Sequence, residues 1–529
     1  MTWNPVLGAL PSVMGSTLPR PNPSAHVAGL ALRSIHGDAE ATLAALAANL
    51  PGPVTVARLG SDPIALLAGL GAQACSGIQP DLVLFASTKG DLPRWLTAIQ
   101  AGHHHGHAGT VADELGARFG CPALAVSAAC ASALAALGLA AQRIRSGASR
   151  RVLVLASDVA TDFIVDGFTA LRAIDPAGAH PYDAARAGLA LGEVAGAVLL
   201  SADGNGPILA GWGGSLDANH LTGPCRDGSG LALACRRALA QAGCERPDLV
   251  IGHGTATRYN DDAESLAYAA IAPDLPVVGC KGGLGHSLGA CGIAEVLLAT
   301  TAIAQGWMPG VAGLRVPGTA GAIRALPPGR HPFAGSAVLC ANAGFGGINH
   351  AVVLLGNSLG EASPSSPGRG SVADQFLPAR RLELPSGDFQ QFTAQQVLGR
   401  IDTGWGRMDA ACRGLVALAM LAGDLPEGTG IVLLTNAGCA ASDRQFDRHR
   451  RQPGGDPQRF PYTLSTTAIG EASIRRRWRG SGLCLPGASD EQGRAVAGEL
   501  LAAGAPAVLL ARIEADAPPH LGWAEIFVA

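Results

Sequence analysis

Lysine is nearly absent: Lys89 and Lys281 stand alone against 36 arginines in 529 residues. Aromatic residues make up only 4% of the chain and charged residues 15%, with 38 basic side chains, 41 acidic ones and a formal net charge of −3. That balance leaves no positive field over the molecule. The one dense basic run, Arg475 to Arg479, is short, so nucleic acid is not an expected partner. Disorder is excluded for most of a chain that is 48% apolar. No stretch reaches ~18 uninterrupted apolar residues. Met1 to Pro23 lacks a basic segment leading into an apolar one, so neither a membrane partner nor a secretory leader is expected. The twelve cysteines contain no CxxC pair and sit mostly in apolar surroundings, which reads as buried thiols in a reducing cytosol and a cytoplasmic protein.

What the chain does have is small residues: 72 glycines and 35 prolines imply many tight turns and close backbone approaches. Short apolar runs alternate with Ala-rich helical segments. His26 to Leu32, Leu82 to Ala86, Leu124 to Val126 and Val152 to Ala156 read as strands, with a helix from Cys130 to Ser146 between the last two. This rhythm predicts an α/β layered fold. A second run follows, with strands near Ala195–Leu200, Leu249–Gly252, Val277–Val278, Val338–Cys340 and His350–Leu355, and a helix over Gly292–Gln305. Residues 1–23 form an N-terminal extension, 24–200 a first half and 201–356 a second; the small polar residues 357–379 read as a flexible linker.

Residues 380–529 resume the α/β pattern as a weak internal repeat of 24–200. Leu124-Ala-Val-Ser-Ala-Ala-Cys130 aligns without gaps on Leu483-Cys-Leu-Pro-Gly-Ala-Ser489, and after a gap of three Val152-Leu-Val-Leu aligns on Val508-Leu-Leu-Ala.

The chemistry begins at Ser127-Ala-Ala-Cys130-Ala-Ser-Ala, where a strand runs into a small-residue turn, a cysteine and at once a helix. A thiol at a helix N-terminus faces free N–H groups and the positive end of the macrodipole, which favours thiolate. For the other eleven cysteines a structural role is the simpler reading. Two histidines sit in glycine loops: Ile251-Gly-His253-Gly-Thr255-Ala-Thr257 and Lys281-Gly-Gly-Leu-Gly-His286. Flanking glycines let the backbone bend so that an imidazole can reach a cavity. Either histidine alone suits a packed core, but the pair together with Cys130 points to one site. Lys281, in a chain that otherwise uses arginine, marks a place where a compact ammonium fits and a planar guanidinium does not, whereas Lys89 reads as a surface remnant. In Ala341-Asn-Ala-Gly344-Phe345-Gly346-Gly347 one bulky ring stands among glycines, which suits a gate or a backbone N–H close to an oxyanion. His103-His-His-Gly-His107 reads as an exposed loop, since adjacent histidines cannot all converge on one metal ion.

In this order the segments resemble the elongating β-ketoacyl-acyl carrier protein synthases, among the thiolase-like condensing enzymes, over roughly residues 24 to 356. Asp183-Ala-Ala-Arg186-Ala-Gly188 through Glu193-Val-Ala-Gly196 is similar to a further family stretch. The resemblance implies a layered αβαβα fold of two similar halves, followed here by an α/β domain like the first half. It implies Cys130 as acyl-accepting nucleophile and His253 with His286 for malonyl decarboxylation. It also implies Thr255 and Thr257 for the pantetheine arm, Lys281 with Glu295 as an ordering pair, and Phe345 between Gly344 and Gly346 as the gate. The backbone N–H groups of Cys130 and Phe345 would form the oxyanion hole. No metal or organic cofactor is implied.

The implied reaction is decarboxylative condensation of an acyl thioester with malonyl-acyl carrier protein, in fatty acid, polyene or polyketide-type biosynthesis. Acyl carrier protein would be one partner. The other would be a second copy of the chain, or a synthase-like subunit in a heterodimer. Ala343 replaces an aromatic residue of the family's gate and Ile348 replaces a threonine, changes that bear on substrate choice. The C-terminal copy has Ser489 at the Cys130 position and no histidine loops, so it is expected to be non-catalytic. Two alternatives are a chain-length-factor-like scaffold with an unused Cys130, and a thiolase acting on coenzyme A thioesters. The retained histidines speak against the first. The second ranks lower, since thiolases use as base a second cysteine in a Cys-x-Gly motif and none directly follows Phe345.

Overall fold

The computed structural model describes residues 23–60, 62–356, 376–452 and 455–529. The N-terminal extension and most of the expected linker lie outside them. Strands β1 (His26–Arg33), β2 (Leu82–Ala86), β3 (Ala123–Val126), β4 (Arg151–Ser157) and β5 (Ala195–Ser201) lie in the spatial order β1-β5-β4-β2-β3. β2, β3 and β4 are parallel, while β5 runs antiparallel to β4 and to β1. The second half repeats the scheme with β6 (Ile208–Leu216), β7 (Leu249–Ile251), β8 (Leu275–Val278), β9 (Ala337–Gly344) and β10 (Ile348–Leu355) in the order β6-β10-β9-β7-β8. A short edge strand, Ile323–Ala325, follows β8. One pairing, His26 to Ile208, joins β1 to β6, so both halves share an eleven-stranded sheet. Helix α1 (Ser132–Arg145), buried over nearly its whole length, packs against β4, β6 and β10 and so fills the layer between the halves. Leu, Val and Ile dominate the central strands, as expected where both faces are covered.

The C-terminal unit builds the same five-stranded pattern a third time. Its strands are β11 (Arg380–Glu383), β12 (Gly430–Thr435), β13 (Gly482–Pro486), β14 (Ala507–Glu514) and β15 (Leu521–Val528), in the order β11-β15-β14-β12-β13. The register agrees with the sequence repeat. Val83 pairs with Ala123 and Leu153 in the first unit, and Ile431 with Gly482 and Leu509 in the third. Here Ser489 caps helix α4 (Asp490–Ala502), accepting from Gln492 N while the Gln492 side chain returns to the Ser489 backbone. The hydroxyl in the register of Cys130 is thus committed to a capping box.

The copy docks on the strand that leads to Cys130. Just beyond β3, Ser127 and Cys484 exchange two backbone hydrogen bonds of 2.8 Å in an antiparallel bridge, so the edges of β3 and β13 meet. A continuous apolar cluster runs from Leu134 and Leu137 to Leu483, Val496 and Leu500. The opposite edge ends in charge: Arg381 and Arg494 both bind Glu525 on the sheet carrying β11, which discourages further strand addition.

Across the docking interface Arg143 Nη1 reaches Glu499 Oε1 at 2.9 Å. Burial raises the Glu499 carboxyl to about 7 against the pull of Arg143. A carboxyl whose folded pKa exceeds its unfolded one contributes stability below about pH 4.5 that is lost as the pH rises through about 7. Glu499→Gln is therefore expected to raise Tm relative to the unsubstituted protein more at about pH 8 than at about pH 5, measured by thermal unfolding at both.

Two sequence expectations change. Lys89 is buried and ion-paired with Asp443, at 2.6 Å, and so is no surface remnant. His107 is buried as well: it caps the helix Ala108–Phe119 and packs edge-on against Trp95. Burial and the neighbouring histidines push its pKa down to about 4. The twelve cysteines are all free. One apolar helical run has membrane-spanning length among the described residues, Leu288–Gln305, and 78% of it is buried within the protein.

Candidate functional site

Cys130 follows β3 on a turn that Ala129 makes at φ +50°, a left-handed conformation that lifts the next side chain away from the sheet before α1 starts. Ser132 secures the turn: its Oγ accepts from Ala128 N at 2.9 Å and donates to Ala129 O at 2.6 Å. Gly344, at the end of β9, lies against the same turn. A Cβ built there would stand 2.9 Å from Cys130 N and from Ala129 Cβ. Gly344→Ala is expected to push the thiol off line and slow Cys130 acylation by about 10²-fold, with the circular dichroism spectrum unchanged.

His253 follows β7. Its backbone N–H and that of Gly254 donate to the Glu264 carboxylate, at 2.5 and 2.8 Å. Thr255 N donates to Asp261 at 3.0 Å, and the Thr255 and Thr257 hydroxyls bond each other at 3.0 Å. Tyr182 and Tyr268 donate to Glu264 from behind. Burial and the adjacent Glu264 raise the Asp261 carboxyl above the ordinary carboxylate range. The His253 ring meets Asn342 Oδ1 at 2.7 Å through Nδ1. Burial, then the Lys281 and His286 charges, hold its pKa well below the ordinary histidine value, so it is neutral at physiological pH.

His286 stands after β8, in front of helix α2 (Cys291–Gln305). Its Nδ1 accepts from Leu288 N at 3.1 Å and lies 3.1 Å from Cys291 Sγ. In the neutral ring this puts the proton on Nε2. The two imidazoles stand at 89°, with centroids 5.2 Å apart. Behind them Lys281 Nζ binds Glu295 Oε1 at 2.8 Å, and both side chains are fully buried. Burial opposes the Lys281 charge, but its acidic neighbours, Cys291, Glu295 and Cys280, overcome this and hold its pKa above the usual lysine value. Asp158 ties the floor together, accepting from Ser87 Oγ at 2.6 Å, Thr88 N at 3.0 Å and Gly289 N at 2.8 Å.

Cys130, His253, His286, Thr255, Thr257, Gly344 and Phe345 line one cavity of about 340 Å³. Ala343 lines it too, in the position of the missing aromatic ring. Lys281 and Glu295 lie behind the wall, and Gly346 sits outside it. A Cβ on Gly470 would stand 2.8 Å from Gly346 Cα, so helix α3 (Thr466–Arg476) of the C-terminal unit presses on the gate turn. Sequence reading missed Asp158, Asn342, Asp261 and Glu264. The spacing of Asp261 and Glu264 on the helix after the first histidine loop was a usable signal, and Asp158 offered none. Among the described residues no group of three metal-ligating side chains occurs. A thiol and two imidazoles lining one cavity can carry a covalent acyl group and hydrogen-bond a second thioester beside it.

Residues 52–204 match the β-ketoacyl synthase N-terminal domain, and residues 208–315 its C-terminal domain. A relative from Streptomyces rimosus named "Oxytetracycline polyketide putative beta-ketoacyl synthase 1" is 34% identical over 254 residues, 44% of this chain and 60% of the relative. The match thus spans less than two thirds of that relative's length. Among solved structures, the "PfaC Keto synthase-Chain length factor" aligns over 96% of this chain and 78% of its own, with a TM-score of 0.73 and 15% identity. A ketosynthase of a type II polyketide system, solved with its acyl-carrier protein, aligns over 64% of this chain and 100% of its own, with a TM-score of 0.56 and 19% identity. Through residues 52–315 the chain belongs to the β-ketoacyl synthase family.

Proposed function

We propose that the protein condenses an acyl thioester with a malonyl thioester, both delivered on the phosphopantetheine arm of an acyl carrier protein, in polyketide- or fatty-acid-type biosynthesis. The observation that carries this reading is the shared cavity of Cys130, His253 and His286. Cys130, as thiolate, attacks the acyl carbonyl; the tetrahedral oxyanion collapses, the carrier thiol leaves and the acyl group stays on sulfur. Malonyl thioester then enters past Thr255 and Thr257. Its carbonyl oxygen lies between the imidazoles, where the His286 Nε2–H donates. The carbon–carbon bond to the carboxylate breaks, carbon dioxide leaves, and the electron pair forms an enolate held by that hydrogen bonding. The enolate carbon attacks the acyl carbonyl, and Cys130 leaves as thiolate. These steps use side chains of this chain alone, without a metal or organic cofactor.

A pure scaffold role is disfavoured for the first two units, because Cys130 and both histidines are retained. It suits the C-terminal unit, where Ser489 is a helix cap. That unit brings, within one chain, a third copy of the five-stranded pattern against the edge of β3. Incubation with acyl-carrier thioesters is expected to add acyl mass to the peptide containing Cys130, and to add none in Cys130→Ala. Label on any other residue, or on none, removes the reading.

A further inference from the structure

His286 is gripped at the ring nitrogen that lies away from its remaining hydrogen. The turn after it bends back at Leu288, whose φ is +53°, and the Leu288 N–H meets Nδ1 at 3.1 Å. Helix α2 then starts at Cys291 and lays its Sγ against the same nitrogen, also at 3.1 Å. Ser287 Oγ donates to Cys291 Sγ at 3.6 Å. His286, Ser287 and Cys291 are each no more than 3% exposed. The start of the helix sits this close to α1 because residue 292 is glycine. A Cβ there would stand 2.8 Å from Leu134 Cδ2 and 2.9 Å from Leu134 N.

The hydrogens on these groups follow from one fixed donor. A backbone N–H can only donate, so Nδ1 of the neutral His286 ring is an acceptor. A sulfur 3.1 Å from an accepting nitrogen is attracted to it only when it presents its own hydrogen. Burial raises the Cys291 thiol above its ordinary value, against the pull of the Lys281 ammonium, so that hydrogen is present at physiological pH. The order is then Ser287 O–H to sulfur and Cys291 S–H to Nδ1, with the remaining ring hydrogen on Nε2.

The geometry points to Cys291 as a positioning residue for His286: its S–H holds the ring in the Nε2–H form and, fed by Ser287, makes that N–H a stronger donor to the enolate oxygen. The inference rests on the condensing reading above. A chain of hydrogen bonds polarises each of its members, so electron density drawn toward Nδ1 leaves the hydrogen on Nε2 more positive. The enolate oxygen carries more charge than the malonyl carbonyl it comes from, so the gain is larger after carbon dioxide has left. The thiol therefore acts on kcat more than on KM. Acylation of Cys130 forms no enolate and makes no use of it.

The test is steady-state decarboxylation of a malonyl carrier thioester by the full chain, with Cys130 acylation followed in the same preparations. Cys291→Ala is expected to lower kcat about tenfold, the scale of one hydrogen bond, with KM and the acylation rate within about twofold of the original. Cys291→Ser, whose hydroxyl can donate to Nδ1, is expected to recover most of that loss. Apolar packing alone would give the opposite order, with Ala tolerated better than Ser, and that order overturns the inference. In the His286→Ala background, Cys291→Ala is expected to cost nothing further, because the thiol acts only through the ring. A further tenfold loss there also overturns it. Ser287→Ala, which removes only the donor to sulfur, is expected to lower kcat about twofold to threefold at unchanged KM. It decides the matter if the Cys291 variants do not fold, and an unchanged kcat then counts against the inference. An unsubstituted protein that releases no carbon dioxide from malonyl thioester overturns the condensing reading, and this inference with it.

Discussion

His286→Ala is expected to lower malonyl decarboxylation by about 10³-fold while leaving acyl transfer to Cys130 within a few-fold of its original rate, because one oxyanion donor contributes on that scale. On the proposed reading, acyl transfer needs the Cys130 thiolate and the backbone donors of its turn. Decarboxylation needs the imidazole N–H at the enolate oxygen. Nδ1 of His286 is occupied by the Leu288 N–H, so in the neutral ring the proton sits on Nε2. Carbon dioxide release from malonyl thioester, measured beside acyl loading of the same preparation, separates the two steps. Equal loss of both would mean that His286 supports the nucleophile and that the division of roles is wrong. Asn342→Ala supplies a milder comparison, since it leaves both rings and removes only the partner of His253 Nδ1.

A chain ending at Gly356 is expected to be insoluble, or to unfold at least 10 °C lower than the full chain. Removing the C-terminal unit strips β3 of its neighbour at Ser127 and uncovers Leu216 and Phe168, which lie against Gly482 and Phe460. Each large apolar side chain returned to water costs about 1.5–3 kcal/mol, which a few such residues raise to the scale of total domain stability. An exposed edge strand beside an apolar surface also pairs with other chains. Soluble expression and thermal unfolding of the shortened chain decide it. A truncated protein as stable as the original would show that the third unit is an appendage and not part of the synthase core.

Much of the site was legible before folding because its chemistry is local. A cysteine at a strand-to-helix turn and two histidines in glycine loops each carry their signal within about ten residues, and turn geometry explains why those residue types stand there. The repeat of the first unit in the third was legible for the same reason: strand lengths and apolar runs survive, and the register of Val83 and Ile431 follows the alignment. Of the supporting shell only the Asp261 and Glu264 spacing left a signal. Asp158 and Asn342 are ordinary residues in sequence, and they acquire meaning only when Gly289 and His253 are brought against them.

The sequence by itself determined the elements, the triplicated strand pattern and the identity of the thiol and the imidazoles, since periodicity and turn chemistry act between near neighbours. Only the tertiary structure decided that the third unit closes on the nucleophile strand, that Lys89 meets a carboxylate 354 positions away, and that the gate ring continues into a row of phenylalanines. The physical reason is that a buried ion pair and a packed aromatic row are set by which surfaces exclude water together, and no local pattern in the chain encodes that choice.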